Sequence, residues 1–296
     1  MGERLTTRFR RLLAEPGLRV VPGVADALLA RLVAEAGFPL VYMSGAGTTA
    51  VRLGAPDIGL LGLTEMADNA GRIVDASGLP LIADADNGYG GPLNVRRTIK
   101  CFEKAGAAGV HIEDQVSPKR CGHLDGKLLI TQSDMVAKIR AAVDARADSD
   151  FVIIARTDAI AVEGLPRAME RANAYREAGA DIIFVEAPRQ EHLSEIIRAV
   201  PGYHLYNMSS SGRTPFLKTS QIEALGYKVA IYPNWAMLGA IRAAQRVLRH
   251  LKDTGDIAAI RSEVASFTEF FDLLGMQEMR NLDVRYTSSE TDHRGY

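Results

Sequence analysis

Short apolar runs recur along this chain, each introduced by a helix-patterned stretch that closes on small residues and glycine. Ala36-Gly37 precedes Leu40-Val41-Tyr42-Met43, Gly78 precedes Leu81-Ile82-Ala83, and Gly109 precedes Val110-His111-Ile112. The same punctuation returns at Gly179 before Ile182-Ile183-Phe184-Val185 and at Gly226 before Val229-Ala230-Ile231-Tyr232. A glycine just past a helix end can take the left-handed conformation that releases the chain into a strand. Arg19-Val20-Val21, Phe151-Val152-Ile153-Ile154 and His204-Leu205-Tyr206 bring the predicted strands to eight. Helix starts are marked at Thr64, at Thr131 with Asp134, at Pro166 and at Ser220 with Glu223. Continuous apolar strands alternating with helices predict a parallel sheet covered on both faces. Eight such units predict an α/β fold, a (β/α)8 TIM-type barrel, ahead of a doubly wound open sheet.

A barrel gathers its chemistry at the C-terminal ends of its strands. The expected strands end in Tyr42-Met43-Ser44-Gly45, Asp84 with Asp86, His111-Ile112-Glu113-Asp114, Arg156-Thr157-Asp158, Glu186 and Asn207. Six polar ends on one rim suit a site for a metal and a polyanion. After the eighth strand a helix runs from Trp235 to Leu251, and a second helical stretch covers about 257–274. Residues 1–285 read as one barrel domain with its C-terminal helix, and 286–296 as a polar, flexible tail. The first 17 residues set Arg4, Arg8, Arg10 and Arg11 against Leu5, Phe9, Leu12 and Leu13, an amphipathic helix without a secretory apolar core.

Composition narrows the function classes. A net charge of -1 on 296 residues argues against nucleic acid or a membrane surface as partner. No apolar stretch is long enough to span a bilayer. Two cysteines, Cys101 and Cys121, give no disulfide framework, so a reduced, cytoplasmic protein is expected.

The acids carry the first chemical signal. Side chains two apart on a strand share a face, so Asp84 and Asp86 are expected to point to one spot, where a hard cation such as Mg²⁺ would relieve their repulsion. Asp57 and Glu113 are further oxygen donors, although a turn acid and a salt bridge from Glu113 to Arg156 are their plain alternatives. Lys119-Arg120-Cys121-Gly122-His123 carries the second signal: Lys119, Arg120 and His123 surround the Cys121 thiol with positive charge, and Gly122 allows the segment to move. Arg156 is a candidate clamp for a substrate carboxylate, or a counter-ion for the barrel-end acids. Ser44, Gly45 and Ala46 are candidates to present backbone N–H groups to a carboxylate. Asn207, Ser209, Ser211 and Thr214 follow strand seven, where a substrate's variable part would lie.

Ser44-Gly45, Asp84-Ala85-Asp86-Asn87-Gly88-Tyr89-Gly90, His111-Ile112-Glu113-Asp114-Gln115, Lys119-Arg120-Cys121-Gly122-His123, Ala155-Arg156-Thr157-Asp158-Ala159, Glu186-Ala187-Pro188 and Asn207-Met208 occur in that order. In this the chain resembles the isocitrate lyase/phosphoenolpyruvate mutase superfamily over about 8–274. Cys121 points to its lyase branch, which includes methylisocitrate lyase, 2,3-dimethylmalate lyase and the petal-death protein. The resemblance implies a barrel whose C-terminal helix, here near 257–274, is exchanged between subunits of a homotetramer. It implies Mg²⁺, with Mn²⁺ as its substitute, near Asp57, Asp84, Asp86 and Glu113.

The implied reaction is retro-aldol cleavage of a small 2-hydroxy dicarboxylate or tricarboxylate, of 2-alkylmalate or methylisocitrate type, to an α-keto acid and a carboxylate fragment. Cys121 would protonate the departing carbanion, stabilised by Arg156 and His123. Tyr42, Glu186 or a metal-linked water would be the initiating base. Asn207-Met208-Ser209-Ser210-Ser211-Gly212 departs from the Asn-x-Thr-Glu-Phe-Gly segment of methylisocitrate lyases and favours a 2-alkylmalate. An oxaloacetate hydrolase or decarboxylase is the competing enzyme, and a non-catalytic metabolite-binding barrel the remote alternative.

Overall fold

The computed structural model describes residues 2–119, 122 and 126–287. Its strands are β1 (Arg19–Val24), β2 (Val41–Met43), β3 (Leu81–Asp84), β4 (Gly109–Glu113), β5 (Val152–Thr157), β6 (Ile182–Val185), β7 (Tyr203–Asn207) and β8 (Val229–Tyr232). They lie parallel and in chain order, and β8 closes the barrel on β1 with Arg19 opposite Val229. The barrel therefore holds, and the open sheet does not.

Helices α1 (Leu5–Ala14), α2 (Ala27–Glu35), α3 (Gly45–Leu53), α4 (Leu63–Ser77), α5 (Pro92–Lys104) and α6 (Gln132–Ala145) belong to the first half. Helices α7 (Ile160–Glu163), α8 (Leu165–Glu177), α9 (Leu193–Ala199), α10 (Thr219–Ala224) and α11 (Trp235–Thr254) follow. Two of the expected start signals act as placed, whereas α4 and α10 are capped two residues ahead of Thr64 and Ser220, where the Glu65 and Gln221 side chains accept from the Gly62 and Lys218 amides. The Thr131 hydroxyl accepts from the Asp134 amide at the head of α6, and Pro166 sits in the first turn of α8. The αL glycine Gly78 ends α4.

Alternation along the strands builds two apolar layers. Val41, Met43, Leu81, Ala83, Ile153 and Ala155 join the layer shared with Ile73 of α4, Ile99 and Phe102 of α5 and Ile139 of α6. The intervening positions, Tyr42, Ile82, Ile154, Phe184, Leu205 and Ile231, form the inner cluster with Phe9, Leu12 and Leu13 of α1. Arg10 ties α1 to residues just ahead of β5 and β6, reaching the Asp150 carbonyl at 3.0 Å and Asp181 at 2.8 Å. The amphipathic N-terminal helix thus covers the end of the barrel opposite the polar rim.

The chain forms two compact units, 1–238 and 239–296. The second holds most of α11, a 3-10 turn at Ala258–Glu263, α12 (Phe267–Leu273) and α13 (Met276–Tyr286). The single helical stretch expected near 257–274 is thus two pieces. Ser266 starts a new helix as a capping box: its hydroxyl accepts from the Glu269 amide, and the Glu269 carboxylate accepts from the Ser266 amide. Helix α13, after the left-handed Gly275, has no counterpart in the sequence reading. Of the tail expected at 286–296, residues 288–296 lie outside the described residues.

Candidate active site

The inward alternation continues past the apolar positions and turns polar at the strand ends. Tyr42, Asp84, His111, Glu113, Arg156, Glu186 and Asn207 succeed the inner-layer residues and are buried. A cavity of about 220 Å³ opens there, lined by Tyr42, Ser44, Ala46, Asp57, Asp84, Glu113, Lys119, Gly122, Arg156, Glu186, Asn207, Ser209, Ser210, Ser211, Pro233 and Asn234. Most of the residues singled out from sequence therefore meet in one place. Cys121 and His123 lie outside the described residues. Thr214 is fully buried and does not line the cavity.

The acids assemble differently from the expectation. Strand β3 ends at Asp84, and Asp86 follows in the left-handed region (φ 46), its amide donating to Asp84 Oδ1 at 3.0 Å. The two carboxylates are therefore oriented by a turn and not by strand alternation. The Lys119 ammonium sits between Asp57 Oδ1 (2.6 Å) and Asp86 Oδ1 (2.7 Å), both partly or wholly buried. Lys119 is thereby directed at the acids. Burial opposes its charge, but Asp86, Asp84, Glu113 and Asp57 outweigh that and hold the ammonium well above its usual range. Burial pushes the Asp86 carboxyl up to about 7, against the pull of Lys119. Burial also drives Glu113 well up, only partly offset by Arg156. For Asp84, burial opposes ionisation, but His111, Lys119 and Arg156 outweigh it and keep the carboxyl low.

Oxygen-only donors of this kind suit a hard cation. Glu113 Oε1 is buried with no hydrogen-bond partner, an acceptor that a cation would satisfy. Among the described residues, however, no three His, Cys, Asp or Glu side chains are grouped closely enough to hold a metal ion as they stand. Ligation by all four acids would require Lys119 and one or more carboxylates to turn.

Arg156 is the hub of the opposite wall. Its Nε and Nη2 donate to Asp158 Oδ2 (3.0 Å) and Oδ1 (3.1 Å), a bidentate pair. Glu186 Oε2 lies 3.2 Å from Nη2, Glu113 Oε2 3.4 Å from Nε, and the Phe184 ring lies under the guanidinium. Both roles weighed for Arg156 remain compatible, and the counter-ion role is the one these contacts display. Glu186 is further held by the Asn207 amide, 3.2 Å from each carboxylate oxygen.

Tyr42 donates toward Asp84 Oδ2 at 3.5 Å and pairs with His111 Nε2 at 2.9 Å. Burial, reinforced by the Asp84 charge, pushes its phenol well up, which makes it a poor resting base. The Ser44 amide donates to the Val24 carbonyl and the Gly45 amide to Asp84 Oδ2 at 3.1 Å. Those two N–H groups are therefore occupied by contacts within the chain. An added Cβ at Gly45 would stand 2.5 Å from that oxygen, which explains a glycine there. The Ser44 hydroxyl instead caps α3 and donates to Asn234 Oδ1 at 2.8 Å.

Sequence reasoning placed Asp158 on the polar rim without giving it a role, and missed Asn234 and Lys127. Asp158 lies two residues past Arg156, so the same alternation was its available signal. Asn234 follows β8, whose end carries no charge to attract notice. Lys127 reaches Asp158 through folding alone.

A family model described as phosphoenolpyruvate phosphomutase matches residues 9–252. Over 282 residues the chain is 45% identical to 2,3-dimethylmalate lyase of Eubacterium barkeri, covering 95% of this chain and 98% of that protein. It is 43% identical to 2-methylisocitrate lyase of Aeropyrum pernix, covering 95% and 91%. A crystal structure of 2,3-dimethylmalate lyase superposes with TM-score 0.93 at 37% identity, covering 100% of both chains. Oxaloacetate acetylhydrolase in complex with the inhibitor 3,3-difluorooxalacetate superposes with TM-score 0.90 at 39% identity, covering 94% and 96%. Phosphonopyruvate hydrolase in complex with oxalate and Mg²⁺ superposes with TM-score 0.86 at 30% identity, covering 96% and 99%.

Proposed function

The chain belongs to the phosphoenolpyruvate mutase/isocitrate lyase superfamily, and on that premise we propose that it is a Mg²⁺-dependent carbon–carbon lyase cleaving a 2-hydroxy dicarboxylate of 2-alkylmalate type. One observation carries the reading: the cavity sets Asp57, Asp84 and Glu113 beside Arg156, Glu186 and Asn207, in a chain matching 2,3-dimethylmalate lyase end to end. Asp84, Asp86, Asp57 and Glu113, directly or through water, would hold the cation, for which Mn²⁺ would substitute. When bound it supplies Lewis-acid polarisation of the substrate's 2-hydroxyl and adjacent carboxylate.

The chain's own groups do the rest. Arg156 and the Asn207–Ser211 loop orient the carboxylates of the substrate. Glu186, a cavity-lining carboxylate aligned by Arg156 and Asn207, takes the hydroxyl proton. The C2–C3 electron pair then leaves with C3 as C2 becomes the keto carbon. Cys121, assigned from sequence with His123 beside it, returns a proton to C3. A 2,3-dimethylmalate would yield pyruvate and propionate.

The oxaloacetate acetylhydrolase likeness supports a second reading, hydrolysis of oxaloacetate in the same cavity. The deciding experiment incubates the protein with Mg²⁺ and 2-alkylmalates, methylisocitrate or oxaloacetate, and identifies products by mass spectrometry. Keto acid plus a second carboxylate, abolished by chelator, is the expected result. Oxalate plus acetate from oxaloacetate would transfer the assignment to the hydrolase, and turnover undiminished by chelator would refute the metal role.

Family membership also supports a homotetramer that exchanges the C-terminal helical segment near 257–274, where Phe267 and Phe270 of α12 are exposed. No helix among the described residues is long and apolar enough to cross a membrane, and a cytoplasmic location belongs to the same proposal.

A further inference from the structure

Lys138, in the middle of α6, is buried, and its ammonium serves a backbone carbonyl. It donates to the Asn87 oxygen at 2.8 Å, 51 residues away along the chain. Asp134 on its own helix, with Glu113 and Asp114 at the end of β4, acts on that charge, and among the described residues none of the three is its ion-pair partner. Withdrawing an ammonium from water costs more than withdrawing a neutral donor. A buried lysine that answers a carbonyl and not a carboxylate therefore calls for a reason at the carbonyl end.

Asn87 belongs to the turn that carries Asp86 off the end of β3. Asp86 (φ 46), Gly88 (φ 82) and Tyr89 (φ 57) all lie in the left-handed region, which a tyrosine, and to a lesser degree an aspartate, enters at a steric cost. Such backbone persists only where its surroundings fix it. Four successive carbonyls show how it is fixed. That of Ala85 accepts from the Gly88 amide at 2.8 Å and that of Asp86 from the Glu113 amide at 2.9 Å. That of Asn87 accepts from Lys138, and that of Gly88 from the Thr98 hydroxyl of α5 at 3.0 Å. Of these four, only the Asn87 carbonyl is held by a charged donor. It adjoins Asp86, whose Oδ1 meets the same Lys119 ammonium as Asp57.

We propose that Lys138 is a positioning residue for the acidic site: by fixing the Asn87 carbonyl it holds the left-handed turn that directs the Asp86 carboxylate to the point Asp57 also reaches. The proposal rests on the metal reading only for the use made of that carboxylate. A charge-assisted hydrogen bond in a buried place is among the stronger ones, which suits the task. Positioning and charge predict opposite signs. A positive group facing Glu113 repels a divalent cation, so by charge alone its removal would tighten cation binding. Loosening the turn would weaken it.

The test compares wild type with Lys138→Met in two measurements. Hydrogen exchange, read by mass spectrometry on peptides covering 84–90, should quicken by about tenfold to a hundredfold, the equivalent of one hydrogen bond to a charged group. Peptides from β7 and the melting midpoint should hold. Mn²⁺ affinity, measured by calorimetry without substrate, should fall about tenfold. Lys138→Arg, which keeps charge and donors, should restore most of both.

A folded Lys138→Met with wild-type exchange over 84–90 overturns the proposal, as does unchanged or tighter Mn²⁺ binding, or a defect that Lys138→Arg fails to reverse. If the Met variant does not fold, Lys138→Gln takes its place with the same expectations. Failure of both to fold would make Lys138 a requirement of the fold and would also overturn it. A wild-type protein that binds no Mn²⁺ would refute the metal reading instead, and the exchange measurement, which needs neither metal nor substrate, then decides the positioning.

Discussion

Substituting Gly122 by alanine is the sharpest perturbation this site offers. The added methyl carbon would stand 2.0 Å from Arg156 Nη2 and 3.0 Å from Glu186 Cγ. Arg156 has little room to yield, since Asp158 holds it at 3.0 and 3.1 Å, Glu186 at 3.2 Å and the Phe184 ring lies beneath. Reaching ordinary carbon–nitrogen contact needs a displacement of about 1.5 Å, which falls to the backbone of residue 122. A misplacement of about 1 Å at a reacting site costs roughly a hundredfold in rate. Gly122→Ala should therefore lower kcat/KM about a hundredfold. Stability should change by less than about 1 kcal/mol, because Gly122 lines the cavity and lies outside the apolar layers. The assay is keto-acid release from whichever hydroxy acid the product screen shows to be cleaved, coupled to a dehydrogenase, with a melting curve on the same sample. Wild-type turnover in a folded Gly122→Ala protein would show that close approach of Gly122 to Arg156 is not needed for catalysis.

Two further outcomes follow from other residues. Cys121→Ala should keep its fold and its Mg²⁺ binding, followed by calorimetry, while losing cleavage by at least about a thousandfold; full activity would remove the thiol from the mechanism. Asp158 concerns stability and pH. Burial opposes its charge, but Arg156 and Lys127 hold its carboxyl down to about 2. A folded-state value below the unfolded one stabilises the protein above about pH 4, and that stabilisation fades as pH falls toward 2. The gain is about 2 kcal/mol. Asp158→Asn should cost about 3–5 kcal/mol near neutrality by taking the carboxylate from the buried Lys127 ammonium and the bidentate partner from Arg156. The stability gap to wild type, measured by urea unfolding, should narrow by about 2 kcal/mol between pH 5 and pH 2. A gap that stays constant over that range would contradict the assignment.

The architecture was legible because its signals are local. The glycine after a helix, the apolar run and the first-turn residues of the next helix act within a few positions, so each strand starts within a residue of its expected place and ends within three. The inward polar rim was legible for the same reason, since alternation carries from Ile154 to Arg156 regardless of what surrounds them. The break inside 257–274 was also local, written in Ser266 and Glu269, and the longer apolar periodicity obscured it.

Partner choice was not legible. Lys119 reads as one of the charges around a thiol, yet it spans Asp57, 62 residues away, and Asp86. Ser44 and Gly45 read as candidate donors to a carboxylate, and spacing did not say that their amides would serve Val24 and Asp84. Arg156 reads as a substrate clamp or a counter-ion for the barrel-end acids, and spacing did not say that its bidentate partner would be the acid two residues on. Sequence alone determined which residues would reach the barrel mouth, because backbone geometry dictates direction along a strand. Tertiary structure decided which charge answers which: in a water-poor interior every ion must find a counter-ion within a few ångströms, and that distance is set by the closed barrel and not by spacing along the chain.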